Sequence, residues 1–442
     1  GLARALAGTG AKLLGLQGTG GSTSTVDAFE KMRLAGATAR VQLIRAAAAR
    51  WGAAEDGLRA EAGEVVNPAT GARLGYGALA AAAGALDAPG RVRLKPEADW
   101  RLLGRSLPRT DMVAKCEGAP LYASDVELPG MLHATVRMSP VFGGRPLSLV
   151  DDAALAVPGV IRVVPLDTDF GAGFGVIATN TWAAFEGARR LEVAWSAPDF
   201  PADDAAQGAA LAAALDAGGD EAMAEGDAPA AFAAAPAEEI VEAEYEVPFL
   251  AHATMEPQCA VARLSEGALE VWAGTQAPGL LQMVCGPALG LSAEAVTVNR
   301  LMMGGGFGRR SEIDAPLYAA LLARETRGRP VKVTWSREED VTHDAYRPRA
   351  LARLRARIRP GEGLAALEAR VAAPALMASV MSRHMPSMPT PPSDKPLAEG
   401  LVDQPYAGPA WRVEGARVDL GVPVGYWRSV GHSQNAFFLE TM

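Results

Sequence analysis

The sequence predicts a mixed α/β (α+β) protein of several domains, in which strands and helices alternate along the chain. Its length of 442 residues suggests roughly three domains. Alternating β-branched residues over 295–301 predict a strand, and an Ala/Leu run with helical spacing over 314–324 predicts a helix. Between them stands GGGFGRR at residues 304–310, which this pattern places in a strand-to-helix turn.

The GGGFGRR stretch combines residue types that favour an anionic ligand. Glycine adopts positive φ and lets a ligand approach bare backbone amides. Such amides attract anions, and the N-terminus of a following helix adds to the attraction. Arg309 and Arg310 would favour phosphate further. On spacing alone, a tight turn with a solvated arginine pair is an equal alternative.

A second glycine-rich stretch, GLQGTGGSTST, occupies residues 15–25 ahead of a helix predicted over residues 26–51. One interpretation is a flexible linker. The other is a further backbone cradle at a helix start, with hydroxyl groups facing phosphate. The residues of that cradle would be Gly21, Ser22, Thr23 and Ser24.

The segment between these stretches alternates short strands and helices. Residues 60–71 predict a hairpin with its turn at PATG, and residues 76–86 predict an Ala-rich helix. Strands predicted at 132–137 and 160–164 flank a predicted helix at 153–157.

Three further segments have distinctive compositions. GAGFG at 171–175 imitates a nucleotide-binding loop, but no helix with phosphate-facing polar groups follows, so we interpret it as a turn. Residues 199–239 are rich in Ala and acidic residues, which predicts a solvent-facing helix and a connecting segment. Residues 374–392 are rich in Met and Pro without periodicity, which predicts a lid or surface loop.

A βαβ-like rhythm in the second half of the chain places Gln276 and Phe307 at strand ends, where open sheets bind ligands. His252 and Glu256 lie four residues apart, a spacing that can hold a metal on a helix. Pro248 and Pro257 bracket them and argue against a helix. The predicted elements are strands at 240–245, 267–273, 296–301 and 330–335, and a helix at 280–289.

Charge and cysteine content exclude several classes of function. The net charge is −9, and the stretch between Arg190 and Arg263 contains no Lys or Arg. The weakly basic remainder is too scattered to indicate a nucleic-acid surface. The three cysteines, Cys116, Cys259 and Cys285, lack CxxC spacing and are odd in number. This favours buried free thiols over a disulfide framework, a zinc site or an iron–sulfur cluster.

Three motifs, in this order, resemble the xanthine oxidase family of molybdenum hydroxylases. Residues 274–278 (GTQAP) resemble its TQ-x-P element, and GGGFGRR resembles its molybdopterin-binding turn. The GGGFGRR form is similar to the branch typified by isoquinoline 1-oxidoreductase beta subunits. Residues 425–431 (GYWRSVG), followed by NAFFLE at 435–440, resemble the arginine–glycine cofactor loop and its helix.

The resemblance implies a domain organisation as well as a fold. An a/b hammerhead domain would occupy residues 91–198, and a molybdopterin-binding domain would occupy residues 240–442. Residues 1–90 would hold the early-placed cradle with its helical segment, and 199–239 would connect the domains. Because the last helix reaches the final residue without a capping signal, the sequence is interpreted as a fragment truncated at the C-terminus.

The same resemblance implies roles for individual residues. Gln276 would direct its amide at an oxygen ligand of molybdenum, and the metal itself would be held by the dithiolene of the pterin. No protein side chain would therefore ligate the metal. The cofactor-binding residues implied are Gly305, Gly306, Phe307, Gly308, Arg309, Arg310 and Arg428, with Gly21, Ser22 and Thr23 at the dinucleotide end.

Two departures from the family pattern concern the chemistry. The family's general base, a glutamate in a glycine-rich stretch near the C-terminus, is not found, and Glu440 is not nominated for that role. Ser311 stands where xanthine-type enzymes place an acidic side chain, with Glu312 one residue later. This favours hydroxylation of an uncharged, isoquinoline-like N-heteroaromatic with water as oxygen source. Aldehyde oxidation and a non-catalytic, cofactor-binding scaffold are the alternatives.

The resemblance also implies partners. The cofactor would be the cytosine dinucleotide form of molybdopterin, and two electrons would pass to a small subunit carrying [2Fe–2S] clusters. A cytochrome c or another acceptor would follow. The sequence contains no run of about 18 apolar residues that would span a membrane. The location stays open between the bacterial periplasm, reached by twin-arginine export, and the cytoplasm.

Overall fold

The computed structural model describes residues 17–198, 200 and 203–442. Two compact units are distinguished: one is Thr19–Ala119, and the other comprises Pro120–Met442 with Gln17 and Gly18. Both units contain helices and strands, so the predicted mixed α/β class is confirmed. Residues 15 and 16 of the first glycine-rich stretch lie outside the described residues.

The helices are numbered in chain order. Their bounds are α1 Thr23–Trp51, α2 Tyr76–Gly84, α3 Met112–Cys116, α4 Asp152–Leu155, α5 Thr181–Arg189, α6 Asp204–Ala217, α7 Ala228–Ala233, α8 Pro278–Ala288, α9 Asp314–Ala323, α10 Arg337–Thr342, α11 Leu376–His384 and α12 Gly431–Thr441.

The strands are numbered in the same way. Their bounds are β1 Arg59–Glu61, β2 Glu64–Val66, β3 Arg73–Gly75, β4 Leu132–Met138, β5 Pro146–Val150, β6 Val160–Thr168, β7 Gly171–Ala178, β8 Glu192–Trp195, β9 Asp220–Glu225, β10 Ile240–Val247, β11 Cys259–Ser265, β12 Ala268–Ala273, β13 Val296–Arg300, β14 Val331–Thr334, β15 Ala350–Arg359, β16 Gly363–Pro374 and β17 Trp411–Val418.

The unit Thr19–Ala119 packs α1 and α2 on a small antiparallel sheet of order β1-β2-β3. The predicted hairpin consists of two turns. One turn, at Ala62 and Gly63, joins β1 to β2, and both residues have positive φ. The predicted PATG turn instead joins β2 to β3, where the Gly71 amide donates to the Asn67 carbonyl.

A seven-stranded sheet of order β13-β12-β11-β14-β4-β7-β6 forms the main core of the larger unit. Helix α9 packs on it with an almost wholly buried surface, including Leu317, Tyr318 and Leu322. Strands β4, β6 and β7 come from the predicted hammerhead region and share this sheet with β11–β14. The proposed domain boundaries stay predictions.

A five-stranded sheet of order β10-β15-β16-β17-β9 forms a second layer of the larger unit. Helix α6 packs against it through Leu211 and Leu215, which are fully buried. Strand β9, also from the acidic segment, pairs with β17. The expectation of a solvent-facing helix in residues 199–239 is therefore wrong for these two leucines, because a leucine pair on one helical face is enough to bury it.

Two other expectations need correction. GAGFG is the start of strand β7, not a turn, and Gly173 and Gly175 lie against Met138 and Leu322, where no side chain would fit. Residues 374–392 contain helix α11, whose Leu376, Val380 and His384 are buried, in place of an unstructured loop. Its four-residue spacing of buried side chains was obscured by the Met- and Pro-rich composition.

Candidate functional site

The GGGFG turn follows strand β13 and is shaped by positive backbone angles. Gly305, Phe307 and Gly308 have φ of 97°, 54° and 109°. Within the described part of the chain, the amides of residues 305–308 donate to no protein oxygen. Successive free amides in a turn of alternating hand form a concave site for an anion. The residues of this turn therefore fit a polyanionic cofactor.

The glycines also allow close backbone approach. A Cβ atom built on Gly308 would lie 1.3 Å from the Tyr426 carbonyl oxygen, and one on Gly304 would lie 2.3 Å from the Cβ of Glu256. Neither neighbour is a flexible side-chain tip, so no other residue fits at these positions. The turn is thus packed directly on the 425–430 loop and on the segment containing Glu256.

Gln276 lies beside this turn. Its backbone amide donates to the Arg310 carbonyl over 2.9 Å. Its side-chain Oε1 would be 3.3 Å from a Cβ on Gly306. The Gln17 carbonyl accepts from Gly279 over 3.2 Å, at the start of α8. The structure therefore brings together Gln276 and the GGGFG turn, which are distant in sequence.

Arg310 is buried and holds the turn against the Glu256 segment. Its guanidinium donates to the Glu256 carbonyl over 2.8 Å, to the Glu256 carboxylate over 3.1 Å, and to Gln258 Oε1 over 3.2 Å. The Glu256 carboxylate also accepts from the Gly304 amide. Burial, despite Glu256, lowers the pKa of Arg310 from its ordinary value.

Arg309 is also buried and begins a second chain of contacts. Its guanidinium binds Asp314 through two hydrogen bonds of 3.0 and 2.7 Å and contacts Asp344 at 2.8 Å. Asp344 binds His252 Nδ1, and His252 Nε2 donates to the Tyr426 carbonyl over 3.1 Å. Burial alone would raise the pKa of Asp344, but His252 and Arg309 hold it below its ordinary value.

Glu312 begins a third chain of contacts. Arg383 donates to both of its carboxylate oxygens, over 2.9 and 3.2 Å, and also to the Val424 carbonyl over 2.9 Å. His384 Nε2 lies 3.5 Å from the same carboxylate. Burial opposes ionisation, but Arg383 and His384 lower the pKa of Glu312 from its ordinary value.

The alternative of a solvated arginine pair is wrong, because the side chains of Arg309 and Arg310 are only 1% and 3% exposed. The contact of these side chains with the cofactor stays a prediction, since the structure gives both guanidinium groups protein partners. Helix α9 begins only at Asp314, whose carboxylate faces Arg309. The helix N-terminus expected behind the turn is therefore already used by the protein.

The 425–430 loop carries Arg428 in an exposed position. Ser429 and Val430 follow with φ of 63° and 49°, which is unfavourable for residues with a Cβ, above all for a β-branched one. Such a conformation persists only where surrounding contacts impose it. The contacts at Val424 and Tyr426 are therefore structural supports of this loop. The role of Arg428 as a cofactor ligand stays a prediction.

Apolar side chains are exposed around the turn. Met255 is 89% exposed and Phe307 47%, and Met302 and Met303 are also exposed. A Cβ on Gly305 would touch the Phe307 ring, and one on Gly306 would lie 3.6 Å from the Met303 sulfur. The Glu256 and Glu312 carboxylates are buried in ion pairs. The exposed surface next to the turn is therefore apolar.

The first glycine-rich stretch lies in the unit Thr19–Ala119. Gly21 and Ser22 have φ of 56°, and Ser22 precedes α1 without a side-chain capping bond. The Thr23 hydroxyl donates to the Gly20 carbonyl over 2.7 Å. The phosphate contacts of Gly21, Ser22 and Thr23 stay predictions.

The two residues with metal-ligand spacing have separate partners. His252 binds Asp344, while Glu256 binds Gly304 and Arg310. In the described residues, no group of three or more His, Cys, Asp or Glu is arranged to hold a metal ion. The sequence analysis missed Asp344 and Arg383, because their partners come from distant segments and no local motif marks them.

Similarity to known proteins agrees with this geometry. Residues 216–442 match the model of the molybdopterin cofactor-binding domain. This match extends over the GGGFGRR turn, Gln276 and the Arg428 loop. The chain belongs to the molybdopterin cofactor-binding domain family.

Two curated relatives are parts of oxidoreductases that act on N-heteroaromatic compounds by name. The beta subunit of isoquinoline 1-oxidoreductase from Brevundimonas diminuta is 31% identical over 97% of this chain and 59% of its own length. A nicotinate dehydrogenase subunit from Pseudomonas putida is 33% identical over 73% of this chain and 27% of its own length. The chain thus spans less than two thirds of the length of these two relatives.

Solved structures share the fold. The aldehyde oxidoreductase from Desulfovibrio gigas superposes with a TM-score of 0.62 at 20% identity, covering 78% of this chain and 42% of that one. At this level of identity the likeness concerns the fold alone. In the described part of the chain, no helix is both long and apolar enough to cross a membrane.

Proposed function

We propose that this chain is the molybdenum-cofactor-binding part of a large subunit that hydroxylates an uncharged N-heteroaromatic compound with water as the oxygen source. The observation that carries the proposal is the meeting of the Gln276 amide with the free amides of the GGGFG turn. The similarity to the isoquinoline oxidoreductase supports the same class of reaction.

The site fits the molybdopterin cofactor through backbone donors. The amides of residues 305–308 would bind its anionic oxygens, and Gln276 would orient an oxygen ligand of the metal. When bound, the cofactor would supply the transfer of a water-derived oxygen and accept two electrons. Arg428, Gly21, Ser22 and Thr23 would contact the cofactor in its proposed cytosine dinucleotide form. We assign no general base within these 442 residues.

The surroundings of the turn support an uncharged aromatic substrate. Phe307, Met255 and Met303 present an exposed apolar surface beside Gly305 and Gly306. Aromatic rings pack favourably on phenylalanine and on methionine sulfur. Glu312, next to Ser311, is bound on both oxygens by Arg383 and is not available to hold a purine.

A partner must accept the electrons. We propose a small subunit with two [2Fe–2S] clusters, followed by a cytochrome c or another acceptor. The cysteines of the described residues support this assignment: Cys259 and Cys285 are buried separately and Cys116 is exposed, so they do not converge on a cluster.

The proposal is tested on the native complex by measuring molybdenum, iron and released cytidine monophosphate together with activity. We expect about one molybdenum per large chain, iron on a copurifying small subunit, and oxidation of isoquinoline or quinoline in preference to aldehydes. Aldehyde preference would favour the alternative enzyme. Absence of molybdenum and nucleotide from the intact complex would contradict the proposal and leave a scaffold.

Gln276→Ala separates cofactor orientation from folding. We expect kcat to fall on the order of 10²-fold, as for removal of one oriented donor, while the molybdenum content and the unfolding midpoint stay close to those of the native complex. The matched control is Gln404→Ala, because Gln404 contacts only its own loop at Tyr406. An equal loss of activity in both variants would remove Gln276 from the site.

A further inference from the structure

His252 occupies a position that the sequence motifs do not explain. Its side chain is 1% exposed, and its Nδ1 lies 3.0 and 2.9 Å from the two carboxylate oxygens of Asp344. Its Nε2 lies 3.1 Å from the Tyr426 carbonyl. Both ring nitrogens thus face acceptors, and an imidazole donates from both only as the imidazolium cation.

The Tyr426 carbonyl is a sensitive point of the structure. The Cα of Gly308 packs against it, and the two unfavourable backbone angles at Ser429 and Val430 follow shortly afterwards. A displacement of this carbonyl would therefore change both the 425–430 loop and its contact with the GGGFG turn. A buried, charge-assisted hydrogen bond is a strong way to fix it.

We propose that His252 is a positioning residue, which fixes the Arg428 loop against the GGGFG turn by donating to the Tyr426 carbonyl. Asp344 holds the ring in place from the other side, and Arg309 in turn holds Asp344. His252 thus acts through the loop and needs no contact with cofactor or substrate. The consequence for catalysis rests on the proposed function, whereas the consequence for the loop does not.

Two substitutions separate the two bonds of the ring. In His252→Gln, the amide nitrogen falls near the position of Nε2 and can still donate to the Tyr426 carbonyl. In His252→Asn, it falls near Nδ1 and can reach only Asp344. We expect His252→Asn to free the loop and His252→Gln to restore most of its order.

The measurement is hydrogen exchange of the native complex, followed at the Trp427 and Val430 amides, which close turns within the loop. We expect His252→Asn to accelerate their exchange about tenfold, as for loss of one hydrogen bond to a charged group, and His252→Gln to change it much less. His432→Asn is the control, since His432 forms an exposed pair with Asp403 over 2.9 Å next to the same loop.

The outcomes are distinguishable from failure of the proposed function. Molybdenum is measured on the same preparations, and an unloaded complex still reports loop exchange. Unchanged exchange in His252→Asn, or equal acceleration in the Asn and Gln variants, would overturn the positioning role. If the exchange behaves as expected in a complex without molybdenum, the proposed function fails and the positioning role stands. In a loaded complex, we expect His252→Asn to lower kcat and His252→Gln to recover it.

Discussion

The GGGFGRR turn and the five-stranded sheet both contain many arginine–carboxylate pairs, but they place them differently. Around the turn, Arg309 and Asp344 are 1% and 2% exposed and connect segments that are distant in sequence. On the sheet, Arg353 and Glu244 are 41% and 51% exposed on neighbouring strands. Exposed pairs contribute little to stability, whereas breaking a buried pair leaves an uncompensated charge. The same residue types therefore shape the site in one region and coat a surface in the other.

Arg309→Met should give the largest effect. Removing the guanidinium leaves Asp314 and Asp344 buried without their cation, which costs roughly 3–5 kcal/mol. The matched change Arg353→Met should cost about 1 kcal/mol or less. Urea unfolding of both variants measures this difference. Similar losses in the two variants would refute the distinction between the two regions.

Gly308→Ala should give the next largest effect, because its Cβ would overlap the Tyr426 carbonyl. Gly290→Ala is the control, since Gly290 also has positive φ, 72°, but open space around it. The control should lose about 1–2 kcal/mol for its backbone conformation alone. Gly308→Ala should lose roughly 1–3 kcal/mol more for overpacking, with most of the bound molybdenum. Equal stability and metal content in the two variants would show that the close approach is unimportant.

Glu312→Gln should give a smaller effect that depends on pH. The folded-state pKa of Glu312 is lowered from 4.5, so its ionised form stabilises the protein above that value. This contribution is lost as the pH falls through the lowered pKa. The unfolding midpoints of wild type and variant should therefore differ most near neutral pH and converge in acid. The exposed Glu242, paired with Arg355, gives the control Glu242→Gln, and a constant gap in the Glu312 variant would contradict this account.

Thiol labelling should reveal the same contrast without changing the protein. Burial raises the pKa of Cys259 to about 11 and that of Cys285 to about 12, so both stay protonated and enclosed. Cys116 is exposed. A maleimide should modify Cys116 in the native protein and the other two only after denaturation, as mass spectrometry of the digest would measure. Rapid native labelling of Cys285 would show that the main core opens.

Local patterns were enough for much of the fold. Strand β13 and helix α9 follow the predicted alternation and helical spacing within a few residues. Helix α6 and strand β7 were misjudged in exposure or type, because their burial depends on a sheet assembled from distant strands. Periodicity reports which face of an element is apolar, but not which distant element covers it.

The candidate site was predictable only where its residues form a motif. Gln276 and Gly306 were selected from motifs, and the structure brings them together. The partners of Arg309 and His252 were not, since Asp344 lies 92 residues from His252 and no spacing rule connects them. The arginines suggested a phosphate site because their composition gives no information about carboxylates that arrive from elsewhere in the chain.

The most direct test is a crystal structure of the cofactor-loaded complex, with molybdenum located by its anomalous scattering. We expect the metal beside Gln276 and Gly306, with the amides of residues 305–308 on the cofactor. Arg309 should stay bound to Asp314 and Asp344, and Arg310 to Glu256. Arginine side chains turned away from these carboxylates onto the cofactor, or molybdenum bound elsewhere, would contradict the account of a backbone cradle held by buried ion pairs.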